Sequence, residues 1–96
     1  MSMNWNMYTD IHEECKKLGI AKNKDYGSES LKLFDGVAIV CRMNDKVQRI
    51  NNIFGAKQIT GVAELNEKFE ESIDDTLMDL INYATYLIML RKGGIQ

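Results

Sequence analysis

Ninety-six residues, with 12 Lys+Arg against 14 Asp+Glu and a net charge of -2, leave room for one domain and exclude a multidomain machine. The slightly acidic balance, without a basic block, argues against binding duplex nucleic acid through bulk charge. No run of about 18 apolar residues is present to cross a membrane. Proline is absent, although ordinary usage gives about five in this length, and that points to helices. The first periodic stretch runs from about Asn4 to Leu18, where Met7, Ile11, Cys15 and Leu18 share one helical face and Gly19 ends or kinks the helix. Residues 19–36 read as a loop, with Leu31, Leu33 and Phe34 as a candidate short helix.

A second helix is expected over Gly36 to Phe54, with Val40, Met43, Val47, Ile50 and Phe54 as its apolar seam and Gly55 as its cap. Ala56 to Gly61 reads as a turn. The last helix starts between Val62 and Asn66, runs to about Arg91 and stops at Gly93-Gly94. Phe69, Ile73, Leu77 and Leu80 form one side of its first half, with Glu71, Asp75 and Asp79 opposite. From Leu80 to Leu90 it is apolar nearly all round, so it must be covered on more than one side. A chain this short buries roughly 60–65% of its unfolded surface. The expectation is an all-α bundle of three to four helices, residues 1–96 forming one domain, completed by homo-oligomerisation.

Two charged stripes carry the chemistry. Glu71, Asp75 and Asp79 recur every four residues and drift only about 40° per step, with Asn82 continuing the line. Such a stripe either anchors Mg²⁺, a hard cation that takes carboxylate and phosphate oxygens, or is a solvated face. On the middle helix Arg42, Lys46 and Arg49 fall within an arc of about 60°. They either clamp phosphates, or form a solvated face or pair with the neighbouring acids. In Lys22-Asn23-Lys24-Asp25-Tyr26-Gly27, Lys24 can meet a phosphate and Tyr26 can stack on a base. The alternative is a tyrosine packed over the bundle end, before a glycine chosen for positive φ. A single histidine, His12, argues against multi-histidine zinc sites and a Ser-His-Asp triad. Cys15 and Cys41, without a CxxC, fit reduced thiols, and the first residues lack the basic and apolar regions of a secretory signal. A cytoplasmic setting is the expectation.

The order Lys24-Asp25-Tyr26-Gly27, Leu33-Phe34 and Gly36, Arg42 with Asp45-Lys46 and Arg49, then Glu71-Ser72-Ile73-Asp74-Asp75-Thr76-Leu77, Asp79-Leu80 and Asn82-Tyr83-Ala84 resembles a known family. It is similar to the nucleotide-modification-associated domain family found widely in phages, over about residues 15–91. The helix from Glu71 to Asp79 is also similar to the metal-binding helix of the all-α NTP pyrophosphohydrolases of the MazG and dimeric dUTPase type. Those are helical oligomers that use Mg²⁺ and carboxylates to cleave an NTP between its α and β phosphates. They show an ExxE pair on an early helix and an ExxD pair on a later one. Here Ser72 stands three before Asp75, and Glu13 and Glu14 are adjacent, with no glutamate three away from either.

The resemblance implies a phage-type protein of the bacterial cytoplasm that binds a nucleotide or nucleotide-derived molecule. In that reading Lys24, Arg42, Lys46 and Arg49 hold phosphates, and Tyr26, Asn82 and Tyr83 contact base or ribose. Glu71, Asp75 and Asp79 hold a metal or ribose hydroxyls. The broken carboxylate pattern favours binding without turnover, such as sequestering a nucleotide second messenger of host antiviral signalling. The alternatives are an Mg²⁺-dependent nucleotide pyrophosphohydrolase and a structural or protein-binding helical module.

Overall fold

The computed structural model describes residues 2–60 and 67–95, apart from the side chains of 26, 56–60 and 67–72. Within them the chain is all-helical: α1 (Trp5–Tyr26), a 3₁₀ segment (Glu29–Gly36), α2 (Val37–Thr60) and α3 (Glu67–Arg91). Asn4 caps α1, its Oδ1 accepting from the Met7 amide at 3.0 Å. Gly27, at φ 73°, ends the helix and donates its N–H to the Asn23 carbonyl at 2.8 Å. Gly19 does not stop α1, which runs two turns past the expected end. An alanine Cβ at Gly19 would lie 2.5 Å from the Tyr86 hydroxyl, so the glycine is what lets α1 approach α3.

The 3₁₀ segment contains a sharp reversal. Phe34 and Asp35 both take left-handed backbone angles, at φ 54° and 53°, before Gly36 at φ 96°. For non-glycine residues that geometry costs on the order of 1–2 kcal/mol each. Burial on both sides of the reversal holds it, with Leu31 before it and Gly36 after it. A Cβ on Gly36 would come within 2.9 Å of a Leu87 methyl and 3.2 Å of a Leu90 methyl, so the start of α2 is pressed onto the end of α3.

Helix α3 is the centre of the arrangement. Gly36 meets Leu87 and Leu90, Arg42 meets Tyr83, and Lys46 meets Asp79, so α2 runs antiparallel to α3. Along α1, Cys15 meets Asn82, Gly19 meets Tyr86, and Lys22 meets Asp79. Those three contacts all fall within Asp79–Tyr86 with no steady register, so α1 crosses α3 over about two turns. In their described parts α1 and α2 both pack on α3 and not on each other. One chain covers the second half of α3 only in part: α1 and α2 lie against it, yet Ile88 and Met89 stay exposed, at 54% and 40%.

Three expected faces are displaced. On α2 the buried positions are Ile39 and Ile53, while Val40, Val47 and Phe54 of the expected seam are exposed. The α2 face that meets α3 is rotated by one residue: the Arg42 guanidinium stands over the Tyr83 ring and the Lys46 ammonium pairs with Asp79. On α3 the inward row is polar: Thr76 and Asn82 are buried, and the Asp79 side chain is only 15% exposed, whereas Leu77 faces out. On α1, Met7 and Ile11 are exposed and Cys15 alone of the expected face is buried. Helix α2 also continues through Gly55 to Thr60, where a cap and a turn were expected. Gly61 and the expected start of the last helix, 62–66, lie outside the described residues.

Candidate functional site

The inward polar row of α3 forms the floor of a cleft of about 480 Å³. Lys22 reaches it from α1, Arg42 and Lys46 from α2, and Asp79, Tyr83 and Tyr86 from α3; Ser30 and Leu31 close it from the 3₁₀ segment. Each residue is there for a helical reason. Lys22 follows Cys15 and Gly19 on the α1 row that touches α3, Arg42 and Lys46 are one turn apart, and Asp79, Tyr83 and Tyr86 step by four and three.

Asp79 holds the cleft together. Its Oδ1 accepts from the Lys22 ammonium at 2.6 Å, and its Oδ2 lies 3.1 Å from the Lys46 ammonium. Burial pushes this carboxyl up. The hydrogen bonds and charges of Lys22 and Lys46 outweigh burial and hold it below the ordinary carboxylate range. Lys22 is correspondingly raised, first by its hydrogen bond to Asp79. The Arg42 guanidinium stands 5.9 Å from the Tyr83 ring centre, a cation–π contact. Tyr83 meets Tyr86 edge-on at 6.1 Å. Burial and the neighbouring Tyr83 push the Tyr86 phenol up, with Lys22 acting in the opposite sense.

Asn82 also lines the cleft, but its amide Nδ2 donates to the buried Cys15 carbonyl at 2.9 Å. It bolts α1 to α3, which is a structural task beside the base contact expected of it. A second cavity of about 570 Å³ lies between α1 and α3 on the far side of Asn82 and Tyr86, and its walls, with Cys15, Ile20, Leu31 and Ile81, are mainly apolar. Burial, then the charge of Glu14, push the Cys15 thiol up. Both cysteines are free thiols, Cys15 buried and Cys41 exposed.

Of the expected site residues, Arg42, Lys46, Asp79, Asn82 and Tyr83 come together in the cleft. Lys24 is exposed on the last turn of α1 and outside the lining; Lys22 occupies the position expected of it. Arg49 is exposed and also outside the lining. Asp75 is exposed one turn from Asp79, near enough for its charge to act on Lys22. Among the described residues no three His, Cys, Asp or Glu side chains are grouped to hold a metal ion. The side chains of Tyr26 and Glu71 lie outside the described ones. Sequence reasoning missed Lys22, Tyr86 and Ser30. The first two are findable once α1 is carried through Gly19, since Lys22 then falls seven residues after Cys15 on the same face. Compared with protein-family models, curated proteins and solved structures, the chain matches none.

Proposed function

We propose that this protein binds a nucleotide or nucleotide-derived anion in the cleft on α3 and returns it unchanged. The observation that carries the reading is the convergence of Lys22, Arg42 and Lys46, from two separate helices, on one cleft walled by Tyr83 and Tyr86. Ammonium and guanidinium groups recognise phosphate oxygens, and aromatic rings offer a face to a base. A volume of about 480 Å³ suits a small metabolite. Asp79, the one carboxylate among the described lining residues, is engaged through both oxygens by lysines. That arrangement supports binding over metal-assisted hydrolysis, which needs carboxylate oxygens directed at a cation.

The same reading takes in the likeness to the phage nucleotide-modification-associated domains and the task of sequestering a nucleotide signal in the bacterial cytoplasm. It also takes in a second copy of the chain. The hydrophobic residues buried within the described part are few: Cys15, Leu31, Ile39 and Ile53. Trp5, Met7, Tyr8 and Ile11 on α1, and Val37, Val40, Val47 and Phe54 on α2, are exposed in rows. Apolar rows of that kind are covered in stable proteins, and self-association covers them.

The test is to incubate the purified protein with a nucleotide panel and Mg²⁺, denature it by heat, and identify what is released by mass spectrometry. Intact nucleotide, together with loss of the nucleotide-induced thermal shift in Arg42→Ala, supports the proposal. Released pyrophosphate and monophosphate would establish the hydrolase reading, and no shift with any nucleotide would leave a structural helical module.

A further inference from the structure

We propose that the cleft selects phosphate esters carrying two negative charges, and that Asp79 sets that number. The inference rests on the nucleotide reading above and adds the ligand's charge class to it. Lys22, Arg42 and Lys46 bring three positive charges to the lining, and Asp79 brings the one negative charge among its described residues, so two positive charges are in excess there, with Asp75 acting on Lys22 from outside the lining. The carboxylate is not a bystander at the rim. Its side chain is only 15% exposed and bridges the two ammoniums at 2.6 and 3.1 Å, whereas Arg42 stands apart over Tyr83. The Lys22 and Lys46 side chains are 48% and 27% exposed, so water screens the cations in part, and a charge left unmatched costs most beside Asp79.

A terminal phosphate monoester has a second pKa of about 6 and is a dianion at pH 8, which matches the excess. A 3′,5′-cyclic monophosphate brings a single charge and leaves one cation unmatched. A triphosphate brings more negative charge than the cleft holds positive, and forces the surplus against Asp79. Asp79 acts here as a positioning residue: it touches the lysines, and through them fixes both their separation and the net charge that the ligand meets.

The experiment uses titration calorimetry at pH 8 with the 5′-monophosphates, 5′-triphosphates and 3′,5′-cyclic monophosphates of adenosine, guanosine, cytidine and uridine. For a given base, the wild-type protein binds the monophosphate at least tenfold tighter than the triphosphate or the cyclic form. Asp79→Asn, which keeps the side-chain shape, shifts the triphosphate-to-monophosphate preference at least tenfold toward the triphosphate. Lys46→Gln shifts preference the other way, toward the cyclic monoanion. A purely structural role for either residue would weaken all three ligands together. Equal or tighter triphosphate binding by the wild type, or an unchanged ratio in Asp79→Asn, overturns the charge assignment while the nucleotide reading stands. No binding of any of the twelve compounds overturns both.

Discussion

Gly19→Ala isolates the contact that brings α1 onto α3. In a solvated helix interior this substitution stabilises by about 1 kcal/mol, because alanine loses less backbone entropy than glycine on folding. Here the new Cβ falls 2.5 Å from the Tyr86 hydroxyl, and the next neighbour is the Asn82 amide nitrogen at 3.4 Å. Overpacking of that kind costs typically about 1–3 kcal/mol, so the net change is a loss of up to about 2 kcal/mol. Tyr86→Phe removes the one offending atom, and nothing then lies closer than 3.4 Å to the Cβ. In that background Gly19→Ala should regain the helix benefit, a coupling of about 1–3 kcal/mol across the double-mutant cycle. Each kcal/mol moves the melting midpoint by about 4–8 °C in a chain of this size. The assay is thermal denaturation by circular dichroism of all four proteins at one matched concentration, since self-association would make the midpoint concentration-dependent. Gly55→Ala is the control: it lies inside α2 with no neighbour within 4 Å of its Cβ among the described residues, and should gain about 1 kcal/mol. A higher midpoint for Gly19→Ala alone, equal to its gain when combined with Tyr86→Phe, would refute the reasoning.

Asn82→Ala removes a buried donor to the Cys15 carbonyl and should cost about 1–3 kcal/mol, read as a lower midpoint in the same melts. The pH dependence follows from the Asp79 bridge. A carboxyl held below its ordinary 3.8 contributes stability that is present above that value and lost as pH falls through the folded pKa, and Lys22, raised above 10.5, contributes stability lost only as pH rises beyond it. Melting midpoints should therefore fall on the acid side below about pH 4 and on the alkaline side above 10.5, and Asp79→Asn should flatten both flanks. Ellman's reagent should titrate one thiol quickly in the native protein, removed by Cys41→Ser, with buried Cys15 reacting only on unfolding. Lys22→Ala should abolish a nucleotide-induced thermal shift that Lys24→Ala leaves intact, since only Lys22 lines the cleft.

Much of the architecture is legible in the residues. The absence of proline and three periodic stretches give three helices, and the nearly all-apolar run Leu80–Leu90 marks the last one as the helix that both others pack on. The positive φ of Gly27 and the pairing of Arg42 with Lys46 on one face are legible too. The end of α1 is not. A glycine at position 19 looks like a terminus because its cost inside a helix is visible in sequence, while the close approach of Tyr86 that offsets it is a tertiary fact. Stopping the helix there hid Lys22 and made Lys24 the apparent phosphate ligand. The inward face of α3 misleads for a related reason: hydrophobic patterning assumes that acids face water. Asp79 is instead drawn inward by two lysines arriving from different helices, and no one-dimensional pattern contains that meeting.

Because the described parts of α1 and α2 touch α3 and not each other, the two cationic arms are joined there through one carboxylate. An anion that drew Lys22 and Lys46 toward itself would loosen that joint, and the C-terminal turns of α1 would be released first. Ligand entry should therefore register in hydrogen exchange of the amides around residues 20–25, at some distance from the Arg42 side of the cleft. The molecule would then report occupancy through the posture of its first helix.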